Sequence, residues 1–231
     1  MALTDDIYFS SKNQSTALLG AGETYTGDWE NVGHHKSSGS SNDDEGGSGA
    51  EKIKIFGLDA NWALQDEEIT LNGMSTVESA GTYRRVFRAY VTQSANGANT
   101  AFNAGDITIT HSSTTANKFL VIDAGRSQSE FCGYTVPDNH TLLIEGARIV
   151  MDKASGSTTA ECGFWIRNTG EAPRIIENGT LSTGVPYEFS GTLVLAEKTD
   201  IAARILSIST GTQSFVGRFW GKLVQNSITA G

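Results

Sequence analysis

The stretch "SFVGRFWGKLV", residues 214–224, decides the fold class. Its apolar residues Phe215, Phe219 and Leu223 fall on one face of an extended chain, because successive side chains of a strand point to opposite faces. Gly217 and Gly221 lie between them and leave space for a neighbouring strand or side chain. The pattern predicts a β-strand and excludes a helix.

The same period-2 alternation recurs along most of the chain. In "TLLIEGARIVM", residues 141–151, the alternation slips at Glu145-Gly146, which predicts a β-bulge. The only helix candidate is a short one at 198–203. The further predicted strands are 52–56, 66–71, 84–92, 106–110, 118–123, 131–135, 162–167, 174–181, 187–195 and 201–209.

Turn-forming segments separate these strands at intervals of about 10–20 residues, which is typical of a sandwich or barrel. The composition agrees with this, since the 231 residues include 26 glycines and 3 prolines and only 19% are charged. Serine, threonine and asparagine supply much of the polarity and favour turns over helices. We therefore predict an all-β fold, an antiparallel β-sandwich of jelly-roll type spanning residues 51–231, preceded by an irregular N-terminal arm, residues 1–50.

The predicted arm carries most of the negative charge. Residues 1–50 hold eight acidic and two basic residues, a balance of −6 within a net charge of −9. Its last part, "SSGSSNDDEGGSGAEK" at 37–52, has no large apolar residue and predicts a mobile acidic surface loop. The residues Tyr25, Trp29 and Val32 precede it, and we predict that they contact a partner subunit.

A second set of interface candidates is the basic cluster Arg84, Arg85 and Arg88. On a strand, Arg84 and Arg88 share a face and Arg85 points the other way. Arginine forms bidentate bonds with carboxylates and is enriched at interfaces. The alternative is ordinary surface charge with intramolecular pairing.

No group of residues predicts catalysis, a metal or a cofactor. The adjacent histidines His34 and His35 point to opposite sides of an extended chain, and "NDDEGGSG" lacks the ligand spacing of a calcium loop. Asp66 and Glu68 share a strand face, which suits the solvent side of an edge strand better than a glycosidase pair. The tryptophans Trp29, Trp62, Trp165 and Trp220 suit core or interface anchors better than sugar platforms.

Composition also restricts the location of the protein and its partners. An acidic chain repels phosphate backbones, so we expect no direct nucleic-acid binding. No apolar run approaches a membrane span, and the N-terminus does not resemble a signal peptide, so we expect synthesis in a cytoplasm and no membrane association. Cys132 and Cys162 could pair, but no disulfide framework is visible and two free thiols are the favoured interpretation.

The stretch "FGLDANWALQDEEITLNGMSTVESAGTYRRVFRAYV", residues 56–91, resembles uncharacterised structural proteins of tailed bacteriophages. Further pieces of that pattern are "AGDITIT", "TTAN", "CGYTVPDN" and "EKTDIAAR", and the resemblance covers about residues 40–224. This chain departs from the pattern at Trp62, where the family often has tyrosine, and at "PDNHT". The resemblance implies a virion component and no enzymatic activity.

Together these observations predict a capsid cement or decoration protein in the phage virion, made in the bacterial host cytoplasm. We expect it to form a homotrimer and to stabilise the shell through non-covalent contacts with the major capsid protein. The alternative is a tail or fibre module that binds host-surface carbohydrate.

Overall fold

The computed structural model describes residues 6–14, 17–18, 34–112, 118–151, 158–182, 185–209 and 213–226. In these ranges every helix or strand element is a β-strand and all strand pairs are antiparallel, which confirms the predicted all-β class. The residues of the weak helix candidate at 198–203 lie almost entirely in a strand. The chain divides into two compact units: unit 1 is Met1–Ala21 with Cys132–Gly231, and unit 2 is Gly22–Phe131.

Unit 1 is a sandwich of two antiparallel sheets. Its strands are β1 (Asp6–Gln14), β2 (Ala17–Leu18), β10 (Gly133–Thr135), β11 (His140–Met151), β12 (Thr159–Asn168), β13 (Arg174–Ser182), β14 (Tyr187–Leu195), β15 (Thr199–Ile208) and β16 (Gln213–Gln225). Sheet A has the order β1-β16-β11-β14, and sheet B has the order β10-β15-β12-β13, with β2 also paired to β15.

The core of unit 1 lies between these sheets and follows the predicted alternation. Phe215 and Phe219 of β16 are buried in it, and Leu223 packs against it. Phe164 of β12 contacts Phe219 edge-on, with ring centroids 6.5 Å apart. Each strand therefore buries one face against the other sheet, which is why the period of two persists along the sequence.

The slip predicted in β11 is a real irregularity. The pairing of β11 shifts between Ile144 and Gly146 on both sides, towards β14 and towards β16. Gly221 faces this bulge, and a β-carbon there would lie 2.0 Å from the carbonyl oxygen of Leu143. Glycine is thus required at 221 by the close approach of the backbone.

Unit 2 is an insertion within one strand of unit 1. Ala17 and Leu18 of β2 lie opposite Ile205 and Arg204 of β15, and β10 continues along the same side of β15 from Ala202 to Asp200. The two short strands therefore lie end to end as one strand beside β15, and unit 2 is inserted between them in the sequence.

Unit 2 contains two further antiparallel sheets. Sheet C has the order β6-β3-β8-β9, and sheet D has the order β5-β4-β7. The strands are β3 (His34–Ser38), β4 (Ala50–Leu58), β5 (Leu64–Thr70), β6 (Val77–Glu78), β7 (Arg85–Ser94), β8 (Ile107–His111) and β9 (Lys118–Ile122). Ile53 and Ile55 of β4, like Ile107 and Ile109 of β8, are completely buried.

The structure divides the chain differently from an arm followed by one sandwich. The predicted boundary at residues 50 and 51 falls at the start of β4, inside unit 2. Residues of the predicted arm form strands with later segments, since β1 pairs with β16 and β3 with β8. The partner strands of β1 and β3 lie far away in sequence, so local composition could not show these pairings.

The acidic Ser/Gly loop is organised around Asp43, which is completely buried. Its Oδ1 accepts hydrogen bonds from the backbone nitrogens of Ala50 and Ala104, each at 2.7 Å. Its Oδ2 accepts one from the nitrogen of Gly105 at 2.8 Å and one from the Ser38 hydroxyl. The prediction of a mobile acidic turn is therefore wrong at Asp43, which ties the two ends of the loop, at Ser38 and Ala50, to each other and to the segment at 104–105.

Candidate functional site

The predicted interface residues fall into two groups. Tyr25, Trp29 and Val32 lie outside the described residues. Arg84, Arg85 and Arg88 lie in unit 2, at and just before the start of β7.

The outer face of sheet D brings charged and aromatic side chains together. In β4, Lys52, Lys54 and Phe56 alternate with buried residues and point away from the core. Phe56 lies opposite Asp66 of β5 on one side and Arg88 of β7 on the other.

Four of these side chains form a continuous stack across two strands. The Lys54 Nζ lies 5.3 Å from the Phe56 ring centroid, and the rings of Phe56 and Tyr90 are stacked at 5.4 Å with 25° between their planes. The Arg88 Cζ lies 5.4 Å from the Tyr90 ring. Both cations are within the range of cation–π attraction, so the stack restrains their side chains. We call Lys54, Phe56, Arg88 and Tyr90 the arginine–aromatic face.

The two carboxylates beside this face are already paired. Lys54 Nζ lies 2.7 Å from Asp66 Oδ2, and Lys52 Nζ lies 3.8 Å from Glu68 Oε1. The hydrogen bond that Lys54 donates to the Asp66 carboxylate raises the pKa of Lys54. Asp66 and Glu68 thus occupy the exposed face of an edge strand, as predicted, and each has a lysine partner.

Arg88 is exposed and forms no ion pair with any residue that the structure describes. Its guanidinium therefore keeps its hydrogen-bonding capacity while the Tyr90 ring holds its position. A carboxylate from another molecule could form the bidentate pair that arginine favours.

Arg84 and Arg85 meet at the ring of Trp62. Their Cζ atoms lie 4.7 and 5.1 Å from the Trp62 ring. Trp62 is buried in the turn that joins β4 and β5, where its backbone has φ 64°. The Asp59 carboxylate forms this turn by accepting hydrogen bonds from the nitrogens of Asn61 and Ala63, each at 2.8 Å.

The predicted division of the arginines by strand parity is wrong. Arg84 and Arg85 both contact one ring, and Arg85 is buried. The register between β4 and β7 shifts here: the neighbours Phe56 and Gly57 lie opposite Arg88 and Val86, so β7 has one extra residue, Phe87, at this point. This irregularity changes the phase of the alternation.

The loop before Arg84 is fixed by Glu67. Its carboxylate accepts hydrogen bonds from the nitrogens of Ala80 at 2.7 Å and Gly81 at 3.1 Å, and from the Tyr83 hydroxyl at 3.4 Å. Burial of Tyr83 and the nearby Glu67 carboxylate raise the pKa of the phenol. The start of β7, and with it the arginines, is thereby held in place.

Sequence reasoning found the arginines but missed Phe56 and Tyr90. The signal was present in the alternation of "KIKIF" and "RAY", which places Lys54, Phe56, Arg88 and Tyr90 on strand faces. The alternation does not show that β4 pairs with β7, and only this pairing makes the two faces adjacent. Trp62 and Trp165 are buried, in line with the expectation for tryptophans in this fold.

Across the described part of the chain, no three or more histidine, cysteine, aspartate or glutamate residues are grouped to hold a metal ion. The same residues include no helix long and apolar enough to cross a membrane.

No family model and no curated protein sequence matches the chain. Among solved structures it is similar to the N-terminal tandem CBM22-1-CBM22-2 domain of Xyn10C from Paenibacillus barcinonensis. The identity is 9% and the TM-score 0.28, over 98% of this chain and 93% of that one. At this TM-score the likeness carries no conclusion about fold or function.

Proposed function

We propose that this protein is a structural component of a tailed-phage virion, a cement or decoration protein that stabilises the capsid shell by non-covalent contacts. The proposal includes self-association as a homotrimer and docking on the major capsid protein. It includes no enzymatic activity. The sequence resemblance over residues 40–224 supports the virion assignment.

The strand order of unit 1 supports the jelly-roll type of sandwich. Sheets A and B each hold four strands in the main path, and the chain passes repeatedly between the two sheets from β10 to β16. An eight-stranded double sheet of this kind is one of the ways in which all-β domains limit exposed edges, and it recurs in viral capsid and lectin domains.

The observation that carries the proposal is Arg88, which is exposed, has no ion-pair partner among the described residues and is held against the Tyr90 ring. Arginine and tyrosine are enriched among residues that dominate interface energetics. A guanidinium that is already ordered loses less side-chain entropy when it binds. A carboxylate on a capsid subunit is the partner that this arrangement fits.

We propose that the shell is stabilised by many weak contacts, repeated between the bound copies of this protein and the capsid subunits. A single Arg–carboxylate pair at an exposed site contributes little. Repetition over the subunits of a trimer and over the shell raises the effective concentration of each further contact. The shell is then stabilised because each bound copy joins neighbouring subunits.

The test is binding of the purified protein to shells of the parent phage that lack it, measured by co-sedimentation. We expect saturable binding by the wild-type protein and at least about tenfold weaker binding by Arg88→Glu, because charge reversal sets like charges against each other at the contact. The matched control is Arg174→Glu, which changes an exposed arginine of unit 1 that is paired with Glu171 at 3.6 Å. We expect it to bind like the wild type.

Two results would contradict the proposal. One is equal shell binding by Arg88→Glu and the wild-type protein. The other is a cryo-electron microscopy map of the virion that places the chain only in the tail, which would favour the tail or fibre module. Mass measurement of the purified protein tests the homotrimer.

A further inference from the structure

A second feature, on the outer face of sheet A, is independent of the arginine–aromatic face. Trp220 of β16 points away from the core, since its neighbour Phe219 is buried between the sheets. A β-carbon on Gly146 would lie 2.3 and 2.6 Å from the Cζ2 and Cε2 atoms of Trp220. The indole therefore lies over the Gly146 backbone, where the β11 bulge and the missing side chain make room for it.

Charged side chains of β11, β14 and β16 occupy register positions next to this ring. Lys222 Nζ lies 2.9 Å from Glu145 Oε1, and Arg148 Nε lies 3.3 Å from Glu188 Oε1, a distance at which the Arg148 Nε nevertheless forms no hydrogen bond. The four side chains are 41–61% exposed. The Arg218 Cζ lies 5.3 Å from the indole ring. We call Trp220, Glu145, Arg148, Glu188, Arg218 and Lys222 the Trp220 platform.

The tryptophan also keeps a polar atom available. Its indole Nε1 donates no hydrogen bond to any described residue and is not buried. Trp220 thus presents an apolar ring next to a hydrogen-bond donor. The ring can contact an apolar part of a ligand while Nε1 donates to a polar group or to water.

We propose that the Trp220 platform binds a hexopyranose unit of a polysaccharide. A pyranose ring has an apolar C–H face that stacks on a flat aromatic ring, and hydroxyl groups that need donors and acceptors around its rim. The platform supplies both, with two carboxylates and three cations beside one indole. Binding sites for small ligands combine an apolar surface with a few fixed polar groups in this way.

The pairing of the charges argues against a protein partner at this place. Unlike Arg88, the cations Arg148 and Lys222 already have carboxylate partners in Glu188 and Glu145, so they have less capacity to pair with a carboxylate of another protein. The charges cancel within each ion pair, and three cations with two carboxylates leave the platform a formal balance of only +1, so it needs no strongly charged ligand. The inference does not depend on the proposed capsid function.

The experiment uses the full-length protein. Cellopentaose, maltopentaose and a galacturonate pentamer are titrated separately while the intrinsic tryptophan fluorescence is recorded, so neutral and acidic pyranoses are compared. We expect a saturable change with at least one of them. Trp220→Ala is expected to weaken binding about tenfold, on the scale of a lost aromatic contact with its hydrogen bond, and is followed by ligand-observed NMR because the fluorophore is gone.

Two further variants keep the test decisive if Trp220→Ala unfolds. Gly146→Ala keeps the indole but displaces it, and is expected to weaken binding to a similar extent with an unchanged far-ultraviolet circular dichroism spectrum. Phe102→Ala removes a more exposed aromatic ring, in unit 2, and is expected to bind like the wild type. Equal losses with Phe102→Ala would indicate non-specific adhesion and overturn the proposal.

The absence of binding to all three saccharides by the wild-type protein would overturn the proposal. Loss of shell binding by Trp220→Ala without any effect on saccharide binding would also overturn it, because the platform would then be a protein contact. Failure of the Arg88→Glu test leaves the saccharide result intact, so the two proposals can fail separately.

Discussion

Leu18 and Cys132 occupy successive positions along one side of β15, although unit 2 separates them in sequence. Leu18 lies opposite Arg204, and the Cys132 carbonyl accepts a hydrogen bond from the Ala203 nitrogen at 2.9 Å. Gly133 follows opposite Ala202. The strand therefore continues in register across the insertion.

This register predicts that unit 1 folds without unit 2. Deletion of residues 19–131 joins Leu18 directly to Cys132, and we expect the shortened chain to unfold cooperatively on heating, with circular dichroism typical of β-sheet. The reason is that the deletion removes no strand of sheet A or sheet B.

The control for this deletion is a fusion of Ala17 to Cys132, which shortens the strand by one residue. A slip of one residue reverses which face each side chain occupies, so we expect a lower melting temperature. If both deletions gave an unfolded chain, the two halves of the strand would depend on unit 2.

The buried carboxylate of Asp43 predicts a large loss of stability in Asp43→Ala. The change leaves three backbone nitrogens and one hydroxyl without their acceptor. Each unsatisfied buried group costs about 1–3 kcal/mol, so we expect the free energy of unfolding to fall by at least about 3 kcal/mol. Urea denaturation measures it.

Glu45→Gln is the matched control for Asp43, because Glu45 lies in the same loop and is exposed. We expect its effect to stay within about 0.5 kcal/mol. Similar values for the two variants would mean that Asp43 does not organise the loop.

A buried ion pair in unit 1 predicts a second large effect. Arg167 donates from Nε at 3.1 Å and from Nη2 at 2.8 Å to Asp200 Oδ2, and the Thr135 hydroxyl donates to Oδ1 at 2.6 Å. Arg167→Met leaves the buried carboxylate without its guanidinium, and we expect a loss of about 3–5 kcal/mol in urea denaturation.

The comparison for Arg167 is Lys52→Met, which breaks an exposed pair with Glu68. We expect a change below about 1 kcal/mol there, because solvent screens the charges. Equal costs for the two substitutions would contradict the distinction between the buried and the exposed pair.

The two cysteines predict an alkaline loss of stability. Cys132 and Cys162 are buried and free, and burial raises the pKa of each thiol from 9.0 to about 12. They lie on opposite sides of β15, two strand spacings or about 10 Å apart, beyond the reach of a disulfide.

Because their folded pKa values are raised, the thiols contribute stability that is fully present below about pH 9 and is lost as the pH rises towards 12. We expect the free energy of unfolding to fall over that window, and to fall less steeply in Cys132→Ala/Cys162→Ala. A thiol reagent at pH 8 should label neither cysteine in the folded protein and both in denaturant. Rapid labelling of the folded protein would contradict their burial.

The alternation of apolar residues was enough to predict most strands after residue 50, but not β1, β2 and β3, which lie in the predicted arm, or the two-residue strand β6. Strands such as β11 and β14 lie where predicted, within one residue at each end. The bulge at Glu145-Gly146 was also visible, because a slip in period has a direct backbone cause. The arginine cluster could be found as a candidate, but its geometry could not, since the irregularity in β7 changed which side chains share a face.

By itself the sequence determined which residues are extended and which face of each strand is apolar, because both follow from side-chain alternation over a few residues. Only the tertiary structure decided which strands are neighbours: that β2 continues into β10, that Phe56 meets Tyr90, and that Asp43 is an acceptor for four donors rather than part of a solvated charge run. Strand pairing joins residues far apart in sequence through backbone hydrogen bonds, which carry no side-chain pattern. The two units, and both surfaces proposed to bind partners, arise from that long-range pairing.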